Sequence, residues 1–232
     1  MEMKPITLCG VPALAWGKDS DRRILAVHGM MSHKADEPIR LLAEAAERQG
    51  IQAVSIDLPG HGDRKGEMAL CTAQHCVPEP HAMLESLLEE SREVGLFGVS
   101  LGACFGLMAA ADLPLCQALL VSPVVDMEEL IASMMQWANV TEPQLKEAGE
   151  ILTDFGETLS WLYLCWVRER PYRWNAPTEV LYGDQDDLTP YHAIEQFRQK
   201  CGAHLTIVEG GAHWFHTPLQ LVVLREWEKG NL

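Results

Sequence analysis

The 232-residue chain lacks any apolar run that approaches the roughly 18 residues needed to cross a membrane. Basic residues are scarce: 18 lysines and arginines stand against 33 aspartates and glutamates, giving a net charge of −15. Nucleic acid and anionic membrane surfaces are therefore poor partners for it. Internal repeats and low-complexity segments are absent, and no apolar signal-peptide stretch follows Met1. We therefore expect a cytoplasmic protein with no membrane span.

The chain also lacks a disulfide framework, because its seven cysteines are odd in number and show no framework-like spacing. A reducing compartment is the simpler interpretation. Cys71, His75, Cys76 and His81 lie close together in the sequence. Their spacing fits zinc motifs poorly, so we predict a loop over the polar stretch 63–76 and expect no metal and no cofactor. The oligomeric state stays open.

Strand and helix patterns alternate along most of the chain, which predicts an α/β fold. Such alternation builds a doubly wound, mostly parallel sheet covered on both faces by helices. Loops at the carboxyl ends of the strands then gather along one edge of the sheet, where sites form. His28-Gly29, Asp57 and Ser100 all fall at predicted strand ends.

A G-x-S-x-G motif occupies residues 98–102, between a predicted strand and a predicted helix, with Ser100 at its centre. The two glycines leave room for a very tight turn. The turn lifts the hydroxyl clear of the backbone, and the free N–H groups of the following helix point toward the same place. The motif therefore predicts a site where a carbonyl is attacked and the resulting oxyanion is held.

A serine nucleophile needs a base to take its proton, and the base needs an acid to fix its tautomer. Two later loops follow predicted strands and supply candidates. The first loop offers Asp184, Asp186 and Asp187, and the second offers His213 and His216. The order serine, aspartate, histidine matches the nucleophile-elbow arrangement. The residues alone leave the choice within each loop open.

The alternation breaks over residues 123–175, where we predict a helical cap inserted within a single domain of residues 1–232. Asp126 and Thr141 begin capping-box patterns, which explains Asp126 better than a role as the acid does. Methionine and tryptophan are frequent in this stretch, and the inner face of the cap is expected to form an apolar pocket. The side chains expected to line that pocket are Met134, Trp137, Trp161 and Trp166.

Four motifs, spread over nearly the whole chain, resemble the α/β-hydrolase superfamily of serine esterases, lipases and acyl hydrolases. They are His28-Gly29, Asp57-x-x-Gly60-x-Gly62, Gly98-x-Ser100-x-Gly102, and Gly183-x-x-Asp186 with Gly211-x-His213. The acid of this family commonly lies three residues after the loop glycine, which selects Asp186. The histidine follows a glycine-containing approach to the last helix, which selects His213. The resemblance further implies an oxyanion hole formed by the backbone N–H groups of Met30 and Leu101.

Several neighbouring residues are expected to be structural. His28 is expected to brace its loop, and Asp57 to belong to a structural turn. His33 is expected to be a solvated loop histidine, and Cys104 a small core residue on an apolar helix.

We therefore expect a serine hydrolase that cleaves small to medium carboxylic esters through an acyl-enzyme. The loop after His28 and the modest cap look similar to bacterial carboxylesterases, including those acting on cinnamoyl or feruloyl esters. A thioesterase, a lysophospholipase or a peptidase could use the same three residues. The negative charge disfavours anionic acyl-CoA unless a local basic pocket overrides it. A binding protein without activity is the third alternative, but it would not need all three residues.

Overall fold

The computed structural model describes residues 1–170 and 173–232. The first half contains β1 (Met3–Leu8), β2 (Val11–Trp16), β3 (Arg22–Val27), α1 (Glu37–Arg48), β4 (Gln52–Ile56), a 3₁₀ segment (Gly62–Leu70), α2 (Ala73–Cys76), α3 (Pro78–Glu90), β5 (Glu93–Val99), α4 (Leu101–Ala109) and β6 (Gln117–Val121). The second half contains α5 (Met127–Trp137), α6 (Glu142–Ala148), β7 (Glu150–Leu152), β8 (Thr158–Ser160), α7 (Trp161–Arg168), β9 (Thr178–Gly183), α8 (Tyr191–Cys201), β10 (His204–Val208) and α9 (Pro218–Asn231). Within these described ranges, no helix combines the length and the apolar character needed to span a membrane.

Eight strands form one sheet in the order β1-β2-β4-β3-β5-β6-β9-β10. The neighbours from β4 to β10 pair in parallel, whereas β2 is antiparallel to both β1 and β4. Parallel neighbours need crossover connections, which the intervening helices supply. The predicted mostly parallel sheet is therefore confirmed.

Helices cover both faces of this sheet because its strands are apolar on both sides. Leu25 and Val27 of β3 belong to a core shared with α3, α4 and α8. Ile24 and Ala26 of the same strand belong to a second core shared with α1 and α9. Successive side chains of a strand point to opposite faces, so one strand feeds both cores. The carboxyl edge of the strands is left for the loops that carry the candidate site.

The segment between β6 and β9 contains three helices and a two-stranded antiparallel sheet of β7 and β8, rather than helices alone. Each of these strands is three residues long, too short to show a strand period in the sequence. A third core joins this segment to Cys104 of α4. Its buried members in the segment are Val124, Met127, Ile131, Met135, Leu145, Leu159 and Leu164.

An arginine ties the three helices of this segment together. Arg168, the last residue of α7, donates to Glu128 of α5 at 2.6 Å and to Glu142 of α6 at 3.0 Å. The predicted cap range also includes Pro171 and Tyr172, which lie outside the described residues.

The stretch 63–76, predicted as a loop, instead folds into most of the 3₁₀ segment and α2. That prediction is wrong because charged contacts order the polar residues. Arg64 donates to both carboxylate oxygens of Glu79 at 2.6 and 2.8 Å, and to Glu67 at 2.6 and 3.0 Å.

Candidate active site

The turn between β5 and α4 holds Ser100 at φ 51° and ψ −116°, a conformation that residues with a side chain rarely adopt. Glycines on either side make the turn possible. A Cβ at Gly98 would lie 2.5 Å from Cα of Ala103, and a Cβ at Gly102 would lie 2.1 Å from the carbonyl oxygen of His28. The motif therefore forms the sharp strand–turn–helix junction that its spacing predicts.

Two side chains from later loops form a chain of hydrogen bonds that ends at this serine. Oγ of Ser100 lies 2.7 Å from Nε2 of His213, and Nδ1 of that ring lies 2.7 Å from Oδ2 of Asp186. The other carboxylate oxygen of Asp186 accepts hydrogen bonds from the amides of Leu188 at 2.9 Å and Thr189 at 2.8 Å. The Asp186 carboxylate has no exposed surface, and 16% of the His213 side chain is exposed.

Close backbone contact holds the two loops side by side. A Cβ at Gly183, the last residue of β9, would lie 2.2 Å from the carbonyl oxygen of Gly211. The amide of Gln185 donates to that same carbonyl at 2.8 Å. The carboxylate of Asp184 accepts from the amide of Gly210 at 2.7 Å. Asp184 therefore joins the two loops, whereas Asp186 contacts His213.

The remaining candidates lie outside this series of contacts. Asp187 is exposed. The ring of His216 donates from Nδ1 to the carbonyl of Trp214 at 2.6 Å and stacks on the indole with centroids 4.5 Å apart. Asp126 caps α5 by accepting from the amide of Glu129 at 2.9 Å, as its sequence pattern predicts.

Two backbone N–H groups near the serine have no acceptor in the described part of the chain. Leu101 is the first residue of α4, and Met30 follows Gly29 in the loop after β3. A Cβ at Gly29 would lie 3.2 Å from Cβ of Ser100, so this loop passes directly beside the serine. Among the described residues, none accepts a hydrogen bond from the amide of Met30 or Leu101. Both donors are free for another acceptor.

A buried ion pair fastens the loop that carries Met30. The Asp57 carboxylate is fully buried and accepts from the Lys34 amide at 2.7 Å, the Asp63 amide at 2.9 Å and the Lys34 ammonium. The same ammonium lies 2.7 Å from the Asp63 carboxylate. Burial raises the pKa of Asp57, but the Lys34 ammonium and the two amides outweigh it and hold that pKa below its ordinary value. The predicted structural role of Asp57 is confirmed. No sequence pattern indicated that Lys34 is its partner.

Two histidines brace the same region. Nε2 of His28 accepts from the amide of Leu58 at 3.0 Å, which confirms the predicted brace. Burial lowers the pKa of His28 to about 4, so the ring is neutral. Nε2 of His61 accepts from the amide of Met31 at 3.0 Å and so fixes the peptide that follows Met30. The sequence signal for His61 is its place within the Gly60-x-Gly62 turn.

The four side chains predicted to line a substrate pocket all have packing partners. Met134 and Trp161 pack against the core of the segment between β6 and β9. Trp166 packs against the core shared with α3, α4 and α8. Trp137 is 54% exposed, and its ring meets Phe155 edge-on with centroids 6.3 Å apart. Contact of these side chains with a substrate stays a prediction.

Two large apolar side chains are exposed beside the candidate site. Met31, which follows Met30, is 94% exposed, and Trp214, which follows His213, is 67% exposed. Their only sequence signal is adjacency to site residues. In residues 1–170 and 173–232, no group of three or more histidine, cysteine or acidic side chains is placed to hold a metal ion.

This mixed sheet, with a serine on a tight turn at its carboxyl edge and a histidine and an acid on two later loops, defines an α/β-hydrolase fold. A family model described as the alpha/beta hydrolase family matches residues 24–224, and the chain belongs to that family of hydrolases. The resemblance drawn from the four motifs is thereby confirmed. No curated protein sequence is a significant match.

Solved structures share this fold over nearly the whole chain. Est1E from Butyrivibrio proteoclasticus, solved with bound ferulic acid, has a TM-score of 0.78 and 19% identity, with 98% of this chain and 96% of that chain covered. Alpha/beta hydrolase domain-containing protein 10 from mouse has a TM-score of 0.71 and 15% identity, with 98% and 96% covered. An esterase from Pyrococcus furiosus has a TM-score of 0.67 and 18% identity, with 99% and 90% covered.

Proposed function

We propose that this hydrolase cleaves carboxylic esters through an acyl-enzyme formed on Ser100. The observation that carries the proposal is the pair of 2.7 Å contacts that link the Ser100 hydroxyl to His213 and His213 to the buried Asp186. A serine hydroxyl is a weak nucleophile until an adjacent base can take its proton. This arrangement supplies the base and an acid that orients it.

In the proposed mechanism, Oγ of Ser100 attacks the ester carbonyl while Nε2 of His213 takes the hydroxyl proton. The Asp186 carboxylate accepts from Nδ1–H, which keeps Nε2 free as the base and stabilises the imidazolium that forms. The imidazolium then gives its proton to the departing alcohol. In the second half, His213 takes a proton from water, the hydroxide attacks the acyl carbonyl, and the proton returns to Oγ of Ser100.

The free amides of Met30 and Leu101 are proposed to donate to the oxyanion of each tetrahedral intermediate. Their lack of an acceptor within residues 1–170 and 173–232 supports this role, because an N–H without a partner can bind developing charge without breaking another bond. The amino terminus of α4 adds its positive end at the same place. Removing one such donor typically lowers kcat by about 10²–10³-fold.

The proposed substrates are small to medium esters with an apolar acyl or aryl group. The exposed Met31 and Trp214 offer apolar surface directly beside the candidate site residues. Residues 123–175 are proposed to act as a cap over the strand ends within a single domain, with its methionine and tryptophan side chains as substrate contacts. The bound ferulic acid of Est1E makes aromatic esters a natural first choice among substrates.

A substrate panel tests the proposal. Purified protein is assayed with p-nitrophenyl esters of increasing acyl length, methyl ferulate, an acyl-CoA and a peptide amide, each with Ser100→Ala in parallel. We expect the highest kcat/KM on an ester and no turnover by the variant. Faster thioester than ester cleavage would make the protein a thioesterase. Folded protein that turns over none of these substrates would favour a ligand-binding role.

A further inference from the structure

A cavity of about 400 Å³ lies apart from Ser100, Asp186 and His213. Its described lining comes from α4, α8, the start of α5, the end of α7 and residues 173–175. Its described lining includes none of Ser100, Asp186 and His213. The volume falls in the range of about 300–1,000 Å³ that is common for small-molecule sites.

One part of the cavity wall is apolar and belongs to the protein core. Cys104 of α4, Phe197 of α8, Met127 of α5 and Trp174 all line it. Each of these side chains is buried, and Trp174 is fixed further because its indole N–H donates to Thr178 at 2.6 Å. Walls of this kind are shaped by core packing, and they suit an apolar ligand body.

Basic side chains line another part of the cavity. Arg168, Arg170, Arg173 and Lys200 all line it and are all exposed. Arg170 stacks on Trp166 at 4.7 Å and lies 3.6 Å from the Glu169 carboxylate. In the described part of the chain, neither Arg173 nor Lys200 pairs with a carboxylate.

Acidic side chains also line the cavity, but in the described part of the chain none of them pairs with Arg173 or Lys200. Glu128 is paired with Arg168, which Glu142 neutralises further from outside the cavity. Asp126 is the second acidic lining residue, and its carboxylate caps α5. Among the described lining residues, Arg173 and Lys200 therefore remain as two basic groups without a carboxylate partner, in a chain whose net charge is −15. Two unpaired cations beside an apolar wall favour an anionic head group.

We propose that this cavity is a second binding site, for a small amphiphile whose apolar body enters between α4 and α8 and whose carboxylate or phosphate head meets Arg173 and Lys200. Guanidinium and ammonium groups are the donors that such oxygen anions prefer. The site is separate from the ester-cleaving residues and does not depend on their proposed role.

Calorimetric titration tests the site, with octanoate, octyl phosphate, octanol and octyltrimethylammonium as probes. The titrations use Ser100→Ala and wild-type protein whose serine has been blocked by a fluorophosphonate, so that the ester-cleaving site is excluded. We expect saturable binding of one or both anions, with octanol at least about tenfold weaker and the cation not bound. The ratio of the two anions distinguishes a carboxylate ligand from a phosphate ligand.

Charge-reversing substitutions test the two basic residues directly. Lys200→Glu and Arg173→Glu are each expected to weaken anion binding by about tenfold or more. Arg48→Glu is the matched control, because Arg48 is an exposed basic residue in the last turn of α1, as Lys200 is in the last turn of α8. Lys200→Gln serves as well if a reversed charge prevents folding. Octanol binding as tightly as octanoate, an equal effect of Arg48→Glu, loss of binding on blocking the serine, or no binding of either anion would each overturn the proposal.

Discussion

Single residues decide which of several similar side chains can act at this site. Asp184, Asp186 and Asp187 occupy one loop, and only the family resemblance, not the residues themselves, favours Asp186. The structure separates them by contact: the carboxylate of Asp186 is buried against His213, whereas that of Asp184 ties two loops together. His213 and His216 are separated in the same way, because His216 stacks on Trp214 and faces the carbonyl of that residue.

Alanine substitutions of His213 and His216 should have very different effects on kcat. His213→Ala should lower kcat by about 10³-fold or more, since Ser100 would lose the acceptor of its proton. His216→Ala should leave kcat within a few fold. Steady-state kinetics on the best ester measure both, and a crippled His216→Ala with an active His213→Ala would reverse the assignment.

The tight turn also makes a prediction about folding. Gly102→Ala would place a Cβ 2.1 Å from the carbonyl oxygen of His28, so β3 and α4 would have to separate. We expect loss of soluble protein, or a fall in the free energy of unfolding of several kcal/mol. Gly66→Ala is the control because a Cβ at Gly66 meets nothing within 4 Å. Equal stability of the two variants, measured by urea denaturation, would contradict the close approach.

At the scale of elements, the loop with Met30 is held by contacts between residues far apart in sequence. Lys34 and Asp57 are 23 residues apart, and Met31 and His61 are 30 apart. Periodicity and local motifs do not indicate such pairings. Asp57 was therefore predicted as a turn residue, and its pairing with Lys34 was not predicted. The strand ends that position Ser100, Asp186 and His213 were predictable because apolar strand patterns are local signals.

Removing the cation of the buried pair should weaken this loop. Lys34→Met leaves a buried carboxylate without its partner, which should lower the free energy of unfolding at pH 7 by about 3–5 kcal/mol. Lys65→Met, a nearby exposed lysine, should have little effect. Kinetics should show a lower kcat for Lys34→Met as well, because the loop with the Met30 amide loses its anchor.

The depressed pKa of Asp57 sets the direction of the pH dependence. A carboxyl group whose folded pKa lies below its unfolded value of about 3.9 stabilises the fold above that value, and the contribution is lost as pH falls through the folded pKa. The stability gap between wild type and the double variant Lys34→Met with Asp57→Asn should therefore shrink on acidification below about pH 4. A gap that is constant or widens in that range would contradict the ion pair.

The last helix contains a carboxyl group whose pKa is shifted in the opposite direction, upward. Glu228 of α9 is fully buried, and neither carboxylate oxygen has a hydrogen-bond partner among the described residues. Burial raises the pKa of Glu228 well above its ordinary value, so the folded state binds a proton that the unfolded state has released. Stability should thus fall as pH rises above about 4.3, the unfolded value.

Glu228→Gln should remove that dependence. At pH 8 we expect the variant to be more stable than wild type by at least about 1 kcal/mol, or about 2–4 °C in Tm, with a smaller difference at pH 4. Thermal denaturation across this pH range measures the effect. Glu226→Gln is the matched control, since Glu226 is exposed and paired with Lys229 at 2.6 Å.

At the scale of the whole molecule, the alternation of strand and helix patterns along the chain was enough to predict the doubly wound sheet and the edge on which the loops meet. The segment between β6 and β9 was harder to predict, because β7 and β8 are three residues each and their pairing depends on the fold around them. No sequence pattern predicts the cavity between α4 and α8. Its described lining comes from α4, α5, α7, α8 and residues 173–175, which only the fold brings together.

The central claim is that Ser100 is a nucleophile activated by His213 and Asp186. Mass spectrometry of protein treated with a fluorophosphonate probe tests this claim most directly. We predict a single label on the peptide that contains Ser100, no label on Ser100→Ala, and slow labelling of His213→Ala. Folded wild-type protein that stays unlabelled, or a label on another residue that persists in Ser100→Ala, would contradict it.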